Sequence, residues 1–106
     1  MAKQLYNVTV LVEHARSEEW LSYMTKEHIL DVMNTGCFES FKLNRLKFVD
    51  EKDGLSFAVQ YIAHSEKKLQ EYMGQHAPAL QKDHQERFGE SALAFRTIME
   101  ILHESN

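Results

Sequence analysis

The residues of this chain whose type and spacing could do chemistry are few: His28, His76 and His84, and the polar side chains of Asn7, Gln60 and Arg96. Histidine titrates near neutrality and ligates metals, so its spacing is informative. His76 and His84 lie eight residues apart, which on a continuous helix is about 12 Å, too far for two ligands of one metal. His28 could approach either from an earlier helix, but no Cys/His ligand spacing supports such a site. Cys37, the only cysteine, excludes a multi-thiolate centre. No metal and no cofactor are therefore expected. His76 stands just before Ala77-Pro78. Proline removes a backbone donor and disturbs the preceding turn, so His76 either caps a loosened carbonyl or turns into a cleft.

Asn7, Gln60 and Arg96 are expected to share one face of a sheet. Two amides and a guanidinium there make either an interface network or a site for an anion or a carbonyl. Glu100, on the same strand parity as Arg96, is the local partner if the arginine is buried. The candidate ligand-binding residues are thus Asn7, Gln60, His76 and Arg96, with no catalytic residue assigned. Trp20, Tyr23 and Met24, with Tyr72 and Met73 further on, recur at helical spacing, which points to core packing. The chain has no glycine-rich phosphate loop, paired-carboxylate motif or serine elbow.

These residues must be positioned by a small scaffold. The chain has 106 residues, 43% hydrophobic and 26% charged, with four glycines and one proline, the composition of one globular domain over residues 1–106. A net charge of -4 argues against nucleic acid or an anionic membrane as partner. The apolar run from Leu5 to Val12 is far shorter than a membrane span, and no secretory leader pattern precedes it. A lone thiol fits a reducing compartment, and a cytoplasmic location is expected.

Leu5 to Glu13 alternates as a strand, with Tyr6, Val8, Val10 and Val12 on one face. Ser17 reads as an N-cap and Gly36 as a left-handed terminator, framing a first helix over about 18–34. Cys37 to Val49 is strand-like, with a parity slip that suggests a bulge near Asn44 or Arg45. Asp53-Gly54 suits a hairpin turn into a strand over 55–63. Ser65 caps a second helix, which Gly74 and Pro78 break into two pieces and Gly89 ends, and 93–102 forms the last strand.

The order β-α-β-β-α-β with right-handed crossovers predicts a ferredoxin-like α+β fold, a four-stranded antiparallel sheet with both helices on one face. Val8, Val10, Val12, Phe57, Val59, Tyr61, Leu93, Phe95 and Met99 are expected to face the helices. Leu5, Leu11, Ala58, Ile62, Ala94, Ile98 and Leu102 would then lie on the bare face, beside Asn7, Thr9, Gln60 and Arg96. A bare face this apolar predicts a homodimer that buries it.

Tyr6-Asn7-Val8-Thr9-Val10, Glu19-Trp20, the run His28-Ile29 through Val32-Met33 to Thr35-Gly36-Cys37-Phe38, and Ala58-Val59-Gln60-Tyr61 follow one another in order. His76-Ala77-Pro78-Ala79-Leu80, His84-Gln85, Arg87-Phe88-Gly89 and Phe95-Arg96-Thr97 complete the series. In these blocks the chain resembles a small bacterial family of uncharacterised function with a ferredoxin-like, dimeric α+β barrel fold. Leu30 stands where the family pattern has a proline. The resemblance implies a homodimeric ligand-binding or assembly module with no assigned activity. The alternative, by analogy of fold, is a small monooxygenase-like or haem-degrading enzyme. Haem degraders of this fold use an asparagine on the first strand and a histidine on the second helix, where this chain has Asn7 and His76. Their catalytic tryptophan near the third strand has no counterpart, because Trp20 falls on the first helix.

Overall fold

The structure is a computed structural model that describes residues 2–105. Four strands, β1 (Gln4–Val12), β2 (Phe38–Arg45), β3 (Leu55–Ala63) and β4 (Ala92–Glu100), form an antiparallel sheet in the order β2-β3-β1-β4. Two helices, residues 17–33 and 66–88, cover one face of it. Between them lies a core of Tyr6, Val10, Val12, Trp20, Val59 and Tyr61, closed by Phe57 stacked on Trp20 at 4.9 Å between centroids.

Each helix contains one widened turn. In the first, Met24–His28 is π-helical, and the Ile29 N–H reaches the Met24 carbonyl; in the second, Tyr72–His76 is π-helical, and the Ala77 N–H reaches the Tyr72 carbonyl. The first widening forms with Leu30, not proline, two residues beyond it. The second takes the place of the expected break, and Pro78 sits in the first turn of the α-helical piece Ala77–Phe88. Such turns are rare and frequent at functional sites. Ser65 caps the second helix as expected, accepting from the Lys68 N–H at 3.2 Å, and Gly36 at φ 78 and Gly89 at φ 51 follow the helix ends. Ser17 does not cap. A 3-10 turn, His14–Arg16, leads into the helix, and the Ser17 hydroxyl instead donates back to the His14 carbonyl at 3.0 Å.

The bulge also lies elsewhere than expected. The β2–β3 register slips between Phe38 and Ser40, which keeps Phe38 and Phe41 on one face, whereas β2 simply ends at Arg45. Gly54, before β3, lies so close to β1 that a Cβ there would run into the Val12 carbonyl, so only glycine fits this approach.

The largest correction concerns β4. Residues directly opposite on antiparallel strands share a face. Ala94 pairs with Val10, Arg96 with Val8 and Ile98 with Tyr6, so Ala94, Arg96 and Ile98 face the helices, while Leu93, Phe95 and Met99 face the bare side with Leu11, Thr9 and Leu5. Strand periodicity separates the two faces without saying which is inward. On this edge strand Leu93, Phe95 and Met99 occupy the bare face, and Ala92, Ala94, Arg96 and Ile98 the covered one.

Candidate functional site

The small side chain of Ala94 leaves a cleft between β4, β1 and the helices, lined by Tyr6, Tyr61, Tyr72, His28, His84 and Arg96 among others. The cleft holds only about 30 Å³, room for about one or two waters. Gln81, His84, Ala94 and Arg96 also line a neighbouring groove of about 580 Å³ between the second helix and β4. The cleft is therefore the inner end of a larger recess.

Hydrogen bonds fix what each histidine presents. The Trp20 indole, which can only donate, gives its N–H to His84 Nε2 at 2.9 Å. The proton of neutral His84 is thereby assigned to Nδ1. Tyr23 donates its hydroxyl to Asp83 Oδ2 at 2.6 Å and lies 3.1 Å from His28 Nδ1. Since an ionised carboxylate cannot donate, the phenolic oxygen accepts from His28 Nδ1–H, and Nε2 of His28 is left as an acceptor. The two imidazoles stand edge to face with centroids 5.8 Å apart. Burial, then the neighbouring His84, pushes His28 down to about 4, and burial followed by the charge of Arg96 lowers His84. Both rings are neutral at physiological pH. The Tyr23 hydroxyl is pushed up by burial and by its bond to Asp83, whose carboxyl is held below its ordinary range by Tyr23 and Arg87.

Two further features give the cleft its character. The side chain of Arg96 takes part in no ion pair among the described residues, and Glu100 does not meet it. Tyr6, Tyr61 and Tyr72 are almost fully buried, yet their hydroxyls have no hydrogen-bond partner in the described protein, while no side-chain polar atom is sealed away without one. These hydroxyls therefore keep access to open space, and the space they line is the cleft. Burial pushes the Tyr61 and Tyr72 phenols up, so they remain protonated donors.

Of the four residues expected from the sequence, only Arg96 lies here. Asn7 and Gln60 do face each other across β1 and β3, but on the bare side, where Asn7 donates to Thr9 Oγ1 at 2.9 Å. The sheet separates them from Arg96, which pairs with Val8 on the covered face. His76 ends the π-turn of the second helix, its ring stacked over Tyr72. Asn7 and His76 are on opposite sides of the sheet, and neither lines the cleft. Trp20, Tyr23, Met24 and Tyr72 are core residues as expected, whereas Met73 is exposed; the polar atoms of Trp20, Tyr23 and Tyr72 position or line the site. The requirement of a buried Trp N–H for an acceptor was the available signal.

A sheet covered on one face by two helices and bare on the other, in this strand order, defines the ferredoxin-like α+β class. Residues 3–102 match the family described as Domain of unknown function (DUF4286), and the chain belongs to that family. No curated protein matches the sequence. Among solved structures, the chain is similar to an EthD family protein from Bacillus halodurans (TM-score 0.72, 14% identity, 96% of this chain and 100% of that one). It is also similar to a dimeric ferredoxin-like protein from an uncultured marine organism (TM-score 0.69, 11% identity, 99% and 100% covered). A third is the haem-degrader MhuD of Mycobacterium tuberculosis, solved with two haems in its active site (TM-score 0.60, 16% identity, 96% and 99% covered). At these identities the likeness is one of fold. No helix among the described residues is long and apolar enough to cross a membrane.

The depressed histidines make stability depend on pH. Unfolded His28 binds a proton near its ordinary 6.5, whereas the folded residue does so near 4, so acid favours the unfolded chain across that window. The urea midpoint should fall as pH drops from 6.5 towards 4, with His28 contributing up to about 3 kcal/mol. His28→Gln should make that fall shallower. An acid limb unchanged by His28→Gln would contradict burial of a neutral imidazole.

Proposed function

We propose that this protein is a cytoplasmic homodimeric binding protein whose cleft takes the anionic head, a carboxylate or an enolate, of a small molecule. One observation carries the reading: an arginine without an acidic partner converges with three unpartnered tyrosine hydroxyls on a recess whose histidines are neutral. Arg96, the phenols and His84 Nδ1–H are all donors, and Arg96 is the one full charge that lines the cleft. His28 Nε2 is a proton acceptor beside the bound head, kept unprotonated by its low pKa. The groove of about 580 Å³ would hold the body of the molecule, with the apolar sides of Pro78 and Ala94 against it. A monooxygenase-like activity would use the same recess, but no residue here favours it over binding.

Benzoate, benzyl alcohol and benzylamine separate charge from shape. Calorimetric titration should show benzoate binding and the other two binding at least tenfold more weakly, and Arg96→Gln should lower benzoate affinity about tenfold or more. Equal binding of the three, or benzoate binding indifferent to Arg96→Gln, would refute an anion site.

The homodimer is supported by the bare face. Phe95 is 66% exposed, Leu93 46% and Met99 41%, and Leu5, Leu11 and Ile62 continue the patch across β1 and β3. A two-fold pairing of this face buries apolar surface on both copies at roughly 25 cal/mol per Å², and because Leu93 and Phe95 also line the groove, the interface borders its rim. Asn7 and Gln60 lie inside this interface and set its register. Sedimentation equilibrium at micromolar concentration should give a dimer, broken by Phe95→Asp and untouched by Lys47→Asp. A monomer in the parent protein, or a dimer indifferent to Phe95→Asp, would exclude this surface.

A further inference from the structure

Behind Tyr72, outside the cleft, three ligand-bearing side chains meet. Cys37 Sγ, a carboxylate oxygen of Glu71 and a ring nitrogen of His76 all lie within 4.8 Å of one another. The geometry points to a binding site for a zinc ion held by Cys37, Glu71 and His76.

The arrangement depends on the second π-turn. In a plain α-helix, residues five apart project roughly 140° from each other around the axis, so Glu71 and His76 would point apart. The extra residue accommodated in Tyr72–His76 brings His76 round towards Glu71. Gly36 ends the first helix and delivers Cys37 to the same point, immediately before β2, where its N–H is held by Thr35 Oγ1 at 3.3 Å.

Distances fit the ion. With Zn–S near 2.3 Å and Zn–N or Zn–O near 2.0 Å, ligand atoms of one tetrahedral centre lie about 3.3–3.6 Å apart. Cys37 Sγ is 3.5 Å from Glu71 Oε2, and His76 needs only a side-chain adjustment to close the set. The other Glu71 oxygen is engaged by Lys68 at 3.5 Å, which orients the carboxylate. Thiolate, imidazole and carboxylate together select zinc over magnesium or calcium. Three protein ligands, two of them half-buried, leave a fourth position for solvent. Burial pushes the metal-free thiol up, so it is protonated, and the ion must displace that proton on binding.

Cobalt(II) and zinc(II) added to the whole protein test the site. Cobalt should bind one per chain and give thiolate-to-metal charge-transfer absorption with tetrahedral visible bands, and zinc should erase both. Zinc binding should release about one proton at neutral pH. His76→Ala, at a half-exposed position, and Glu71→Gln should each weaken zinc about 100-fold or more, whereas His64→Ala should not. Cys37→Ser, at a buried position, should remove the charge-transfer band. Absence of zinc binding at micromolar concentration, cobalt spectra without a thiolate band, or binding indifferent to His76→Ala would each overturn the proposal.

Discussion

The interaction on which the rest of this structure depends is the hydrogen bond from the Trp20 indole to His84 Nε2. Trp20 is completely buried, stacked on Phe57, and its N–H would be costly without an acceptor. Meeting that need with a histidine of the second helix ties the helices together over the sheet. It also keeps His84 unprotonated, since a charged imidazole has no acceptor nitrogen. One bond thus links the packing of the core to the chemistry of the cleft.

The remaining polar groups continue the same logic. Asp83 accepts a hydrogen bond from the Tyr23 hydroxyl, Tyr23 accepts from His28, and Arg87 lies over the Tyr23 ring while pairing with Asp83 and Glu27. Arg87 compensates both carboxylates on the outer side of this network, and Arg96 is a charged residue lining the cleft. The result is a recess rich in donors whose histidines do not compete with Arg96 for an anion. The bare sheet face serves a different end, and the two meet only along the edge strand, where Leu93 and Phe95 border both.

Much of the fold was legible because its signals are local. Ser65 as a cap, Gly36 and Gly89 as terminators, and the alternation of β1 and β3 each specify their own segment. The parity of β4 was not, because Leu93, Phe95 and Met99 look like core and in fact lie on the bare face. That single inversion moved Arg96 away from Asn7 and Gln60 and into the cleft. The π-turns were legible only as a disturbance near Pro78, since no local pattern distinguishes a widened turn from a break. The pairing of His28 with His84, residues 56 apart in sequence, arises from helix packing that no spacing rule encodes.

Long-range proton–nitrogen NMR of the histidine side chains at neutral pH reads whether packing holds two neutral histidines in fixed tautomers beside an unpaired arginine. His28 and His84 should both be neutral with the proton on Nδ1, and Trp20→Phe should release the His84 tautomer while leaving His28 unchanged. A charged His84, or a proton on its Nε2 in the parent protein, would contradict this arrangement.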